Sequence, residues 1–215
     1  MTVQLENVLP REIESRSFEI IGEELAAAGK VLDPEKELII KRCIHTSADF
    51  EYADSLKFSE DVVNKAMNAI KSGAVIVTDT QMAWSGINKR ALARYGGEAM
   101  CFMSDEDVAE AAKKHGTTRA TACIDKAAAL GKPVIFAIGN APTALVRIYE
   151  LVEEGRLHPE LVIGVPVGFV NVVQSKELIM SLEDVPYIVA AGRKGGSNIA
   201  ACIVNALPYK IDDRR

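Results

Sequence analysis

No stretch of this sequence is apolar for anything near the roughly 20 residues that a membrane crossing takes, so no membrane-spanning role is expected. A basic excess is missing too. Lys and Arg number 25 against 30 Asp and Glu, a formal net charge of −5, which argues against general nucleic-acid binding. The cations are dispersed, so any anion recognition has to be local. Cysteine is sparse: Cys43, Cys101, Cys123 and Cys202 include no C-x-x-C pair, and the ligand spacing of a structural zinc site is absent. Each sits among apolar neighbours, where a reduced thiol packs as a small hydrophobe. With no secretory signal pattern, this composition sets the expectation of a cytoplasmic protein. Phosphate-binding fingerprints are lacking as well, since neither G-x-x-x-x-G-K-[ST] nor G-x-G-x-x-G occurs.

What the 215 residues do contain is ordinary globular material, 48% apolar and 26% charged, with short apolar runs alternating with longer helical periods. That alternation predicts a single α/β domain over residues 1–215, built on a mainly parallel sheet with helices on both faces. A flavodoxin-like strand order is compatible with it. An opening helix is expected over Pro10–Ala28, ended by Gly29, and strands over 37–45, 74–78, 98–102, 133–138, 161–165 and 187–191. Further helices are expected from about Ser59, from Thr80 through Leu92, over 105–115 behind Ser104 as N-cap, and over 118–130. Gly131 and Gly155 read as helix terminators. The charged tail from Ile211 to Arg215 is expected to fray.

In an open parallel sheet, ligands bind beyond the carboxyl ends of the strands. On this reading five strands deliver small, polar or charged residues to one edge: His45–Asp49, Thr78–Thr80, Gly139–Thr143, Gly164–Phe169 and Gly192–Ser197. Gly192-Arg193-Lys194-Gly195-Gly196-Ser197 sets two cations among three glycines before a helix, a combination suited to an anion. Gly139–Thr143 offers a second helix N-terminus, with Asn140 at its tip. Each loop alone reads equally well as a plain strand-to-helix turn.

Three histidines occur. His115 lies near a helix C-terminus and His158 in a turn before Pro159, and both have structural explanations. His45 differs in closing a predicted strand at the ligand edge. Imidazole exchanges a proton near neutral pH, although a hydrogen-bonded strand-end histidine accounts for the position too. Arg42 and Arg119 suit carboxylates through their two-pronged guanidinium, or are simple surface charges. Asp49 and Glu51 can be read as a carboxylate pair, but a glycosidase-type acid/base role for them carries little weight.

Taken in order, Arg16-Ser17-Phe18, Arg42-x-x-His45, Gly139-Asn140-Ala141-Pro142-Thr143-Ala144-Leu145, Pro166-Val167-Gly168-Phe169-Val170 and Gly192-Arg193-x-Gly195-Gly196-Ser197 resemble the precorrin-8X methylmutase family across nearly the whole chain. The resemblance implies an isomerase of cobalamin biosynthesis that moves a methyl group from C-11 to C-12 of a tetrapyrrole. Precorrin-8X or cobalt-precorrin-8 would become hydrogenobyrinate or cobyrinate. It implies a homodimer and no separate cofactor, any cobalt being carried by the substrate. The catalytic histidine falls on His45 and substrate contacts on Ser17, Arg42 and Arg119, with Asn140, Arg193, Lys194 and Ser197 in the glycine-containing loops. Met82, Trp84 and Phe169 fit either the apolar ring face or the protein core. Gln174 stands where the family pattern has a glutamate, and the segment after His45 looks closer to members acting on the cobalt form. A corrinoid carrier without catalysis is the alternative reading.

Overall fold

The computed structural model describes residues 6–213. A single 3-10 turn at Pro10–Glu12 leads into α1 (Ile13–Ala27), followed by α2 (Glu37–Ser47) and the one-turn α3 (Tyr52–Ser55). Then come β1 (Leu56–Phe58), α4 (Val62–Lys71), β2 (Val75–Thr78), α5 (Gln81–Gly86), α6 (Lys89–Ala93) and β3 (Ala99–Met100). The second half runs α7 (Glu106–His115), α8 (Arg119–Ala128), β4 (Val134–Ile138), α9 (Pro142–Glu153), β5 (Leu161–Gly164), α10 (Val172–Met180), β6 (Tyr187–Ala190) and α11 (Ser197–Ile211).

The six strands form one sheet in the order β1-β6-β5-β4-β2-β3, with only β1 antiparallel to its neighbour. Renumbered among themselves, the five parallel strands lie as 2-1-3-4-5, the flavodoxin-like order. β4 is buried along its whole length, as the centre of a doubly covered sheet requires. Its alternate side chains divide the core: Ile135 and Ala137 join α1, α2, α4, α5 and α11 on one face. Val134, Phe136 and Ile138 join α8, α9 and α10 on the other. α7 docks on the outside of α8 through Val108, Ala112, Ala122 and Cys123.

The strands expected after residue 70 all form, the one over 98–102 shortened to Ala99–Met100. The expected first strand does not. Residues Glu37–Ser47 are helical, and the buried residues Ile39, Ile40, Cys43 and Ile44 repeat at three and four, a helical stripe. The adjacent Lys41 and Arg42 explain why: a doubly buried strand would drive their charges into the core, whereas the helix sets both beside its buried stripe, where Glu37 and Glu14 pair with them. The first strand is instead β1, three residues on the sheet edge.

Smaller corrections concern helix ends. The expected helix through Leu92 breaks into α5 and α6, with Asn88 capping the second through Ala91 N–H. Asp105 rather than Ser104 precedes α7. Ser59 does not cap α4; its hydroxyl accepts from Tyr187 N–H at 2.9 Å, tying the α4 entry to β6. The expected fraying from Ile211 gives way to order, because α11 reaches Ile211 and Asp212 accepts from Arg94 at 2.6 Å and Tyr95 at 2.7 Å. Arg214 and Arg215 lie outside the described residues.

Candidate active site

The strand order reverses between β2 and β4, and the crevice beyond their carboxyl ends is where such folds hold ligands. Here that crevice is closed by the protein itself. Asp79, 1% exposed, takes Gly139 N–H on Oδ1 at 2.9 Å, and Asn140 and Ala141 N–H on Oδ2 at 2.8 and 2.6 Å. Burial pushes its carboxyl above the usual range, against the three N–H donors that favour the charge. The Gly139–Thr143 turn therefore has its leading N–H groups committed to Asp79 and is not an open anion cradle. Asn140 is left exposed at its tip.

Next to this turn, Ser197 Oγ lies 2.7 Å from Thr80 Oγ1, and Thr80 also caps α5 through Ala83 N–H. A Cβ on Gly139 would come within 2.7 Å of Ser197 Cα, so only glycine permits this approach of β4 to α11. The loop Gly192–Gly196 completes the edge. Gly195 has φ +154°, and a Cβ there would lie 2.0 Å from Val165 O. Gly195→Ala should therefore lower stability by about 2 kcal/mol or more, read as a falling urea midpoint. A wild-type midpoint would mean that the loop relaxes without cost.

The two cations in this loop have different surroundings. Lys194 is held at 2.6 Å by both Asp49 and Glu51, and those two carboxylates raise its pKa further. The two acids converge on Lys194 after Ala48, which ends α2 in the left-handed conformation and turns the chain back. Arg193 is exposed and forms no ion pair among the described residues; its guanidinium sits 5.2 Å from the Phe169 ring centre. Phe169 and Met82 are 80% and 71% exposed, the first against Arg193 and the second in the first turn of α5 after Thr80. Trp84 is instead engaged, donating to Ala99 O at 2.9 Å beneath Lys89.

His45 stands in the last turn of α2, not at a strand end. α2 runs antiparallel along α11: Arg42 lies over Tyr209 at 4.4 Å, Thr46 donates to Cys202 Sγ at 3.2 Å, and Asp49 meets Lys194. His45 is thereby carried toward the Ser197 end of α11, with Cys202 about 7.5 Å along the axis from it. Its imidazole is exposed and meets Phe18 edge-on, with ring centres 5.8 Å apart.

Arg42 is boxed in by Glu14 at 2.9 Å, Tyr209 and Phe18, with a buried Nε that has no hydrogen-bond partner among the described residues. Ser17, half-buried beside Phe18, donates to Ile13 O at 2.8 Å. Arg119 is exposed at the first turn of α8, whose cap Thr118 also reaches Thr143 Oγ1 at 2.9 Å. The predicted residues thus fall into two groups. Ser17, Arg42 and His45 gather where α1 meets α2, whereas Asn140, Arg193, Lys194 and Ser197 line the sheet edge, with Arg119 beyond the start of α9.

Two residues that sequence reasoning passed over organise this edge. Asp79 had a usable signal, a lone acid directly after the apolar strand Val75–Thr78. Lys176 is the other: 1% exposed, it donates to Gly192 O at 2.8 Å and Lys194 O at 2.9 Å. A single lysine in a short helix carries no such signal.

The precorrin-8X methylmutase family model matches residues 12–210 of the chain. The cobalt-precorrin-8 methylmutase of Salmonella typhimurium is 46% identical over 206 residues, covering 94% of this chain and 96% of the relative. That of Priestia megaterium is 44% identical over 205 residues, covering 95% and 90%. A solved structure of a precorrin-8X methylmutase from Thermus thermophilus superposes with a TM-score of 0.85 at 37% identity, covering 94% of this chain and 97% of that one. The chain belongs to the precorrin-8X methylmutase family of enzymes.

Proposed function

We propose that this enzyme acts in cobalamin biosynthesis, moving a methyl group from C-11 to C-12 of a precorrin-8-type macrocycle, with His45 as proton donor and acceptor. The observation that carries the reading is an exposed imidazole held edge-on against Phe18, on a chain whose family match spans nearly its full length. Protonating or hydrogen-bonding the conjugated ring system withdraws electron density from the migrating centre. The C-11–methyl bond breaks as the C-12–methyl bond forms, and the proton is returned, so the product is an isomer of the substrate. No separate cofactor is needed for that balance, and cobalt, where present, belongs to the substrate.

The macrocycle is a broad apolar ring bordered by carboxylate arms. Arg119 and Arg193 are the exposed cations suited to those arms, together with Asn140 and Ser197 at the sheet edge. Met82 and Phe169 are suited to the ring face. Lys194, held by Asp49 and Glu51, serves the arms only by exchanging those partners. Arg42 and Ser17 act from beneath His45, fixing the helix pair that carries it. A net acidic chain binds such a substrate when its cations are local. The enzyme works as a cytoplasmic homodimer on this reading, and no helix among the described residues is long and apolar enough to cross a membrane.

The substrate is assigned to the cobalt form, supported by the names of the Salmonella typhimurium and Priestia megaterium relatives, 46% and 44% identical. Incubation with precorrin-8X and with cobalt-precorrin-8, followed by visible spectroscopy, tests both points: the cobalt form should be converted with the higher kcat/KM. Faster conversion of the metal-free form would overturn the assignment, and binding of both without conversion would leave a carrier. Light scattering should give twice the chain mass of 23.3 kDa.

A further inference from the structure

Lys176 is among the largest fully buried side chains of the described residues, on the inner side of α10 with Val172, Ser175 and Ile179. Among the described residues no carboxylate pairs with it. Its two partners are the carbonyls of Gly192 and Lys194, alternate peptide groups of the glycine loop. A trans peptide is planar, so the N–H of each group points opposite to its C=O. Every peptide bond described is trans. With the carbonyls of Gly192 and Lys194 drawn inward, the N–H groups of Arg193 and Gly195 face away from the buried ammonium. Neither has an acceptor among the described residues. The intervening carbonyl of Arg193 accepts Gly168 N–H at 3.1 Å, and Gly196 N–H goes to Val165 O at 2.8 Å, so the rest of the loop is pinned to the segment after β5.

We propose that Lys176 is a positioning residue for substrate binding, holding the glycine loop so that the Arg193 and Gly195 N–H groups receive one carboxylate arm of the macrocycle. The inference rests on the tetrapyrrole reading above and deepens it by naming the atoms that meet an arm. Lys176 touches no substrate atom. It fixes two peptide planes from below and places a cation under the anion, an arrangement strengthened by its low-dielectric surroundings. Burial lowers its pKa to about 8, which leaves the ammonium protonated through the neutral range. The arm also accounts for the other features of the loop. Arg193 presents its guanidinium from the same segment, and Gly195 leaves its amide unshielded where a side chain would collide with Val165 O.

The test uses the full-length enzyme, Lys176→Met and Lys176→Gln, with circular dichroism and urea melts establishing that each variant is folded. Lys176→Met removes both donors and should raise KM about tenfold while kcat stays within about twofold, the equivalent of one charge-assisted hydrogen bond. Lys176→Gln, which keeps a neutral donor, should fall between it and the wild type. In parallel, the 15N-labelled wild type is titrated with the metal-free product hydrogenobyrinate. The Arg193 and Gly195 amide resonances should move downfield at saturation, and this reading needs no variant to fold. Unmoved amides in a wild type that binds the product would overturn the inference alone, as would a folded Lys176→Met enzyme with wild-type KM, or one that loses kcat in place of affinity. A wild type that neither converts nor binds either macrocycle would instead sink the proposed function.

Discussion

His45→Ala should give an enzyme that still binds the macrocycle but converts it at least about 100-fold more slowly, the lower range for loss of a general acid–base group. The expectation separates binding from chemistry because the imidazole contributes little to the fold. It is exposed, and its contact with Phe18 is a single edge-on ring pair, worth about 1 kcal/mol. The buried side of α2, Ile39, Ile40, Cys43 and Ile44, is untouched by the substitution. Circular dichroism and the urea midpoint should therefore stay near the wild type, and the bound substrate should give a perturbed spectrum that persists without the product chromophore. Turnover within about threefold of wild type would remove His45 from the chemistry. Loss of binding with an intact fold would make it a contact residue instead.

Residues 37–45 look like a strand because nine of them in succession contain five apolar side chains, and the run is short. Only the spacing 39, 40, 43, 44, together with the adjacent Lys41 and Arg42, betrays a helix. His45 therefore closes a helix rather than a strand, and the family likeness points to the residue independently. Apart from the short edge strand β3, the parallel strands were legible because each is an apolar run with glycine or proline within two residues of its start, the pattern of a sheet covered on both faces. β1 was not, since Leu56-Lys57-Phe58 is three residues long and gains its identity only by pairing with β6.

The edge of the sheet was readable as a place, though not as a set of contacts. Asp49 and Glu51 meet at Lys194 because Ala48 takes a left-handed backbone, which nothing in an alanine announces. In sequence the Gly139–Thr143 turn reads equally as an open helix N-terminus or a plain strand-to-helix turn, but its donors close on an acid sixty residues earlier in the chain. Such long-range partnerships leave no periodic trace. The consequence for function is a redistribution of charge. The turn that looked ready for an anion already holds one, and the loop over Lys176 is left with open amides.

Removing that internal anion should have the second large effect. Asp79→Ala leaves three N–H groups of the Gly139–Ala141 turn without an acceptor beside a buried cavity, and unfolding free energy should fall by about 3 kcal/mol or more. KM should rise with it, because the turn carries Asn140 and sets the close approach of Gly139 to Ser197. Asp79→Asn is the informative companion. With its carbonyl in the place of Oδ2 it keeps Asn140 and Ala141 N–H, while its amide nitrogen faces Gly139 N–H, so the cost should be about 1–2 kcal/mol. The two proteins should also differ in pH response. Burial raises the native pKa of Asp79 above its ordinary 3.8, so between those two values the native state holds more protons than the unfolded chain. The stabilisation from this group is fully present below 3.8 and is lost as pH rises through the native value. The stability gap between wild type and Asp79→Asn should accordingly be widest at the acid end of that window and narrow above it. Urea melts of both proteins from pH 3.5 upward, at steps of about half a unit, would measure this. A constant gap would show that Asp79 titrates alike in the folded and unfolded chain, and an undiminished stability in Asp79→Ala would mean that the turn finds its acceptors elsewhere.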